Sequence, residues 1–250
     1  MSWSLLSKCL AIAASAATLF APPARALDGG AADAASASQA VMILNEGGSF
    51  CSALVIDPRT LITAGHCLAG GRDMRVYWPG EGGQPVMRGA TSVAIHPNYV
   101  ADAVQKRKRS IDLGLVRLAE NLPSQFSGVS LAANGRIEPG DRVTALGFGP
   151  TSRKDPKSAG VMRRANFSAA APYGPSEILL WTSSSSAGIC PGDSGGAMLD
   201  ASGRLAAIIA WGGTTGASGC RGPAQGVLVG PQRQWIDSTL SQWGAQAQWE

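Results

Sequence analysis

Ile189-Cys190-Pro191-Gly192-Asp193-Ser194-Gly195-Gly196 is the stretch from which the rest of this chain is read. It sets one serine hydroxyl among glycines, whose bare backbone lets a substrate approach closely. A free serine hydroxyl is a weak nucleophile, so the run acquires meaning only with a base and a group that orients the base. Both stand upstream, as His66 in Thr63-Ala64-Gly65-His66-Cys67 and Asp112 in Ile111-Asp112-Leu113-Gly114-Leu115-Val116. His66 is one of two histidines, and it lies between small residues and a cysteine. The other, in His96-Pro97-Asn98-Tyr99, reads as a turn. Asp112 sits within an apolar strand, where an unpaired carboxylate is costly to desolvate. A backbone amide or a strand-end exposure would relieve it, but a histidine N–H is the stronger partner given the other two motifs.

The same glycine-flanked serine satisfies G-x-S-x-G, the nucleophile elbow of α/β-hydrolases. That fold takes its histidine after the serine. Neither His66 nor His96 follows Ser194, so this reading fails.

Composition fits a compact chain. Apolar residues make up 45% and charged residues 15% of 250, enough to bury one large core or two small barrels. Gly 32 and Pro 15 supply the turns of an all-β fold. Short β-rich runs recur at 41–44, 52–56, 60–63, 75–77, 91–95 and 113–118, then at 141–147, 161–167, 178–182, 195–199, 205–211 and 225–229. Six and six, split by the polar stretch 119–140, predict two six-stranded antiparallel barrels. Pro231 opens a C-terminal helix with Trp235, Ile236, Leu240 and Trp243 on one face, packed on the second barrel.

The N-terminus reads as a secretory leader over 1–26: a lone Lys8, an apolar Ala-rich run from Cys9 to Ala21, and the small-x-small pattern Ala24-Arg25-Ala26. It predicts export, to the medium or a periplasm. Removing Lys8 and Arg25 lowers the formal charge of +4 to about +2, too mild to argue for nucleic acid or membrane binding. Loss of Cys9 leaves four of five cysteines in an oxidising compartment, with three possible pairings. Zinc ligation lacks a C-x-x-C pair or clustered histidines. The run Lys106-Arg107-Lys108-Arg109 reads as a solvated loop, with a bias toward acidic substrates or a nicking site as sharper readings.

Three separated motifs in the order His66, Asp112, Ser194 resemble the chymotrypsin/trypsin-like serine peptidase family, from about Leu27 to Trp243. The resemblance implies a peptidase domain over 27–250, with barrels at about 27–125 and 132–230, a helix at about 231–243, and the active site in the cleft between barrels. It implies His66 as general base, Asp112 as its orienting partner and Ser194 as nucleophile, with an oxyanion hole from the N–H groups of Gly192 and Ser194. It also implies the disulfides Cys51–Cys67 and Cys190–Cys220. The substrates are proteins or peptides, the chain a monomer, and no metal or cofactor is called for. A catalytically silent binding protein on the same fold is the rival reading; such proteins usually lose a triad member, and this chain keeps all three.

Specificity follows from position. The resemblance implies that Gly188, six residues before Ser194, stands at the base of the primary pocket, where an aspartate would select Lys or Arg. Gly212 and Gly226 match later wall positions, and Ile189 adds apolar surface. Three glycines predict a roomy uncharged slot for large apolar or aromatic side chains. Ala210, Trp211 and Gly212 would pair with the substrate backbone, although Ala210 replaces a serine that supports the triad aspartate. Leu27-Asp28-Gly29-Gly30 matches the run that becomes the active N-terminus, with its ammonium paired to Asp193. Leader removal alone would then free Leu27. Asp28 departs from the family's apolar second residue and brings another carboxylate toward Asp193.

Overall fold

The computed structural model describes residues 27–250 apart from 29, 71–72, 107, 135–136, 171–177 and 184–186. The leader, Gly29 and Arg107 of the basic run therefore lie outside the described residues. Two antiparallel sheets carry the fold. The first holds β2 (Ala40–Leu44), β3 (Phe50–Asp57), β4 (Thr60–Thr63), β5 (Arg75–Pro79), β6 (Pro85–Arg88), β7 (Ala90–Ile95) and β8 (Gly114–Leu118), in the order β6-β5-β2-β3-β4-β8-β7. Its two edge strands, β6 and β7, are consecutive in the chain with only Gly89 between them. The sheet thus curls into a half-barrel closed by covalent continuity rather than by a hydrogen-bonded ladder.

The second sheet holds β9 (Arg142–Gly147), β10 (Arg163–Ala170), β11 (Leu179–Thr182), β12 (Ala197–Leu199), β13 (Leu205–Gly212) and β14 (Ala224–Leu228). Here β9 pairs with both β10 and β12, so these six strands close into a true barrel. A two-residue strand, β1 (Ala31–Ala32), adds to β10 through Ala31↔Arg164 and Ala32↔Arg163. Of the two predicted barrels, one is closed and the other is a seven-stranded half-barrel. The short β1 and the Pro-led, half-exposed β6 carry no period-2 signal of their own. Besides the single turn α1 (Ala103–Lys106), the α-helix among the described residues is α2 (Arg233–Gln242), with Ile236 and Leu240 fully buried. Its Trp235 lies 4.8 Å from the His96 ring, centroid to centroid, so the helix also reaches the first sheet.

Burial follows strand chemistry. In β10 alternate residues point inward, which buries Ala165, Phe167 and Ala169 and also Arg163. In β3, Cys51 through Ile56 are all buried, because this strand is covered on both faces. Its one hydroxyl, Ser52, is fully buried and ties the sheets together. Ser52 Oγ donates to Gly192 O at 2.8 Å and accepts from Phe148 N at 3.0 Å. Its backbone N–H donates to Ser194 O at 2.8 Å, and its carbonyl accepts from Thr63 Oγ1 at 2.8 Å. Both predicted disulfides form, joining Cys51 to Cys67 and Cys190 to Cys220.

Ser52→Ala strands a buried carbonyl and a buried N–H without partners. It is expected to cost about 1–3 kcal/mol in urea unfolding, as orphaned buried polar groups do. A midpoint shift within experimental error would refute the role of this hydroxyl as the seam between sheets.

Candidate active site

β4 runs into a short 3₁₀ turn, Gly65–Leu68, that the Cys51–Cys67 bridge staples to β3. This turn presents His66 with 36% of its side chain exposed. Asp112 accepts two hydrogen bonds from it, from the backbone N–H at 2.7 Å and from ring Nδ1 at 2.6 Å. With Nδ1–H donating to a carboxylate, Nε2 is left as the basic nitrogen. Asp112 lies two residues ahead of β8 rather than within it, between buried Ile111 and Leu113. Position 210 is alanine, so no hydroxyl there supports the carboxylate. His66 Nε2 lies 3.6 Å from Cys67 Sγ, and no hydrogen bond joins it to Ser194 Oγ among the described residues. Such a bond is often long in a free enzyme and tightens with substrate. The three donor atoms of Cys51, His66 and Cys67 cluster within 4.8 Å, but two of them are the disulfide sulfurs and offer no thiolate to a metal.

The serine loop spans both sheets. Ser194 is half-exposed while Gly192, Asp193 and Gly195 are buried around it. Gly192 sits at φ +99° against the Phe50 ring, a conformation and a space that a side chain would not tolerate. From Cys190 onward the loop's other N–H groups are occupied: Cys190 N donates to Asp193 Oδ2, Asp193 N to Cys190 O, Gly195 N to Ile209 O and Gly196 N to Asp193 O. Pro191 has none. The N–H groups of Gly192 and Ser194 are left without a partner among the described residues. Free N–H donors near a serine hydroxyl are the elements from which a receptor for negative oxygen is built.

Asp193 has no exposed surface. Its carboxylate accepts N–H bonds from Gly149 and Cys190, each at 2.8 Å. Gly149 must lack a side chain, since a Cβ there would lie 2.6 Å from the carboxylate. Burial pushes the Asp193 pKa up to about 7, against the two backbone N–H bonds and the charge of Arg163. Sequence reasoning did not single out Arg163, although the alternation of β10 points it inward. It is 4% exposed, donates from Nη1 to Gly149 O at 3.3 Å and Val161 O at 3.1 Å, and its buried Nε has no partner among the described residues. Burial pulls its pKa down, while Asp193 and Asp155 push it up. Leu27 is fully buried in the same core as Ile189. The Asp28 carboxylate pairs with Arg221 at 2.6 Å, so it has its own counter-charge.

The residues expected to line the slot pack closely. A Cβ on Gly212 would lie 2.6 Å from Ile189 Cβ, which puts the two walls in van der Waals contact. Gly188 lies against the Cys220 carbonyl, and a Cβ on Gly226 would meet Met198 Sδ at 2.7 Å. Glycine removes a side chain but does not fix how far apart the walls stand. Open space lies instead beside His66, in a cleft of about 910 Å³ lined by Tyr99, Val100, Leu179, Trp181, Trp211 and Val227 among others. Lys108 and Arg109 of the basic run reach its rim. β12 stops pairing with β13 at Ile208, so the edge of Ala210–Gly212 away from β14 carries no strand among the described residues.

Asp193 also makes stability depend on pH. Between its usual 3.8 and about 7 the folded chain holds a proton that the unfolded chain releases. The Asp193 contribution to stability therefore falls as pH rises through this window. In the chain with its leader retained, the unfolding free energy should decline from pH 4 to 7 more steeply than in Asp193→Asn. Parallel curves for the two proteins would contradict a buried, titrating Asp193.

The family model described as Trypsin matches residues 28–236. Among solved structures, human heparin binding protein superposes with a TM-score of 0.68 at 23% identity, covering 85% of this chain and 96% of that one. Neuropsin, a serine protease expressed in the limbic system of mouse brain, gives 0.67 at 20% identity, covering 82% and 95%. No curated protein sequence matches. At these identities the structures speak for the fold, and the family model, which spans most of the chain, speaks for descent. The chain belongs to the trypsin family of serine endopeptidases.

Proposed function

We propose that this is an exported endopeptidase that cleaves peptide bonds through an acyl-enzyme on Ser194. The observation that carries the reading is the pair of unpartnered N–H groups, Gly192 and Ser194, beside an accessible serine hydroxyl. Ser194 Oγ attacks the scissile carbonyl carbon while His66 Nε2 takes its proton. Asp112, bonded to Nδ1–H at 2.6 Å, keeps the ring in the tautomer that leaves Nε2 free and stabilises the imidazolium. The developing oxyanion is received by the two free N–H groups, a contribution typically on the order of 10²–10³ in rate per donor. The imidazolium then protonates the leaving amine, and water, deprotonated by the same nitrogen, releases the acyl group. Substrate backbone adds as a strand to the free edge of Ala210–Gly212, with upstream side chains in the cleft beside Trp211.

The side chain before the scissile bond is apolar. Gly188 provides no carboxylate for Lys or Arg, and Ile189 lines the slot. The close approach of Ile189 and Gly212 supports a slot that favours Ala, Val or Leu over Phe and Tyr, smaller than the three glycines suggest. Leader removal before Leu27 supplies the mature terminus, whose ammonium becomes a further counter-charge for Asp193. Two disulfides suit the export route. No helix among the described residues is long and apolar enough to cross a membrane.

A fluorophosphonate should label the mature protein on Ser194, and Ser194→Ala should abolish labelling and reduce peptide hydrolysis to the residual level of binding and oxyanion contacts. N-terminal sequencing should begin at Leu27. Undiminished hydrolysis by Ser194→Ala would overturn the mechanism, and library cleavage after Arg would overturn the pocket assignment.

A further inference from the structure

The segment that walls the primary slot, Gly212–Gly222, contains five glycines and has little intrinsic stiffness. Several links hold its far end, among them bonds from Arg153 N and Ser152 Oγ to Ser218 O at 3.0 and 3.2 Å and from Arg153 Nε to Gly219 O at 2.8 Å. Cys220 is bridged to Cys190. Arg221 pairs with Thr215 through backbone bonds of 2.9 and 2.8 Å, closing a hairpin. The Arg221 guanidinium reaches back 193 positions to Asp28, with Nε 2.6 Å from Oδ2 and Nη2 3.3 Å from Oδ1. Ser218 Oγ donates to the same Oδ2.

Asp28 does more than neutralise the arginine. Its carbonyl accepts the Gly188 N–H at 2.9 Å, and Gly188 also pairs with Arg221 through an antiparallel bridge. The N-terminal segment, the base of the slot and its outer wall are therefore stitched to one another, with Gly188 between the other two. The wall's near end, Gly212, rests on Ile189. The Asp28 side chain is 10% exposed and that of Arg221 46% exposed. Breaking the pair thus leaves a mostly buried carboxylate with only Ser218 as side-chain partner, whereas the arginine end returns to water.

We infer that Asp28 and Arg221 form a latch that sets the width of the primary slot, with Arg221 as a positioning residue that holds the glycine-rich wall against Ile189. The inference rests on the pocket assigned under the proposed function. It explains an acidic residue next to the mature terminus: seating that terminus seats Asp28, and Asp28 fixes the wall. Release of the latch leaves the wall tied at Gly212, at Ser218–Gly219 and at Cys220, and removes the charged tie to the N-terminal segment, so the wall yields enough for larger side chains to fit.

The test measures kcat/KM on paired peptides that differ only in Phe or Ala before the scissile bond. Arg221→Gln and Asp28→Asn are each expected to raise the Phe/Ala ratio by about tenfold, the scale of a methylene-sized change in an apolar slot. The double variant should match the singles, because both remove one interaction. Arg221→Lys, which keeps the charge, should retain most of the parent ratio. Arg221 is half-exposed, so Arg221→Gln keeps the test valid if Asp28→Asn folds poorly. An unchanged ratio in folded Arg221→Gln, or additive effects in the double variant, would overturn the latch. A parent enzyme that cleaves after Arg would instead refute the pocket assignment.

Discussion

The nucleophile loop is organised around a carboxylate that has no contact with water. Asp193 is fully buried and holds the N–H groups of Gly149, just after β9, and of Cys190 in its own loop. A desolvated carboxylate is costly unless it is hydrogen-bonded and charge-compensated. The surroundings answer that cost with two backbone donors and the inward-pointing Arg163. They also leave no room for a side chain at Gly149. Once Asp193 is in place, Cys190 and Asp193 close a tight turn, and the N–H groups of Gly192 and Ser194 have no partner among the described residues. The proposed anion receptor would thus be a by-product of where one acidic side chain is buried.

The two sheets contribute unequally to this arrangement. The second supplies the loop, Arg163 and the slot wall. The first supplies His66, Asp112 and the seam at Ser52, whose hydroxyl touches both Gly192 and Phe148. The disulfides reinforce this division. Cys51–Cys67 fixes the histidine turn to β3, and Cys190–Cys220 fixes the serine loop to the wall. His66 and Ser194 sit on different sheets, so their registry depends on the seam. Ser52 N–H to Ser194 O is the direct backbone link between the strand behind the histidine turn and the serine itself.

What was legible in the sequence is what chemistry writes into residue types. The serine run, the histidine beside its cysteine and the aspartate in an apolar setting were readable because each is unusual where it stands. Eleven of the twelve predicted β-runs overlap strands by most of their length, and the run at 195–199 narrows to Ala197–Leu199. β6 was not readable, because Pro85 and half-exposed residues break the alternation. Ser52 had a faint signal, a lone hydroxyl in an apolar strand. Arg163 had one too, once β10's inward face is assigned. The slot width had none. Glycines at 188, 212 and 226 report absent side chains, while the separation of the walls is set by tertiary contacts. The Asp28–Arg221 pair joins residues 193 positions apart, and no local pattern anticipates it.

The most direct measurement is a crystal structure of the mature chain with a peptide boronic acid, which mimics the tetrahedral intermediate. The account predicts boron bonded to Ser194 Oγ, with one boronate oxygen within hydrogen-bond distance of the Gly192 and Ser194 N–H groups. It also predicts His66 Nε2 drawn to the boronate and Asp193 still buried against Gly149. Boron attached elsewhere, or an adduct in which the Asp193 carboxylate has turned out to solvent, would contradict it.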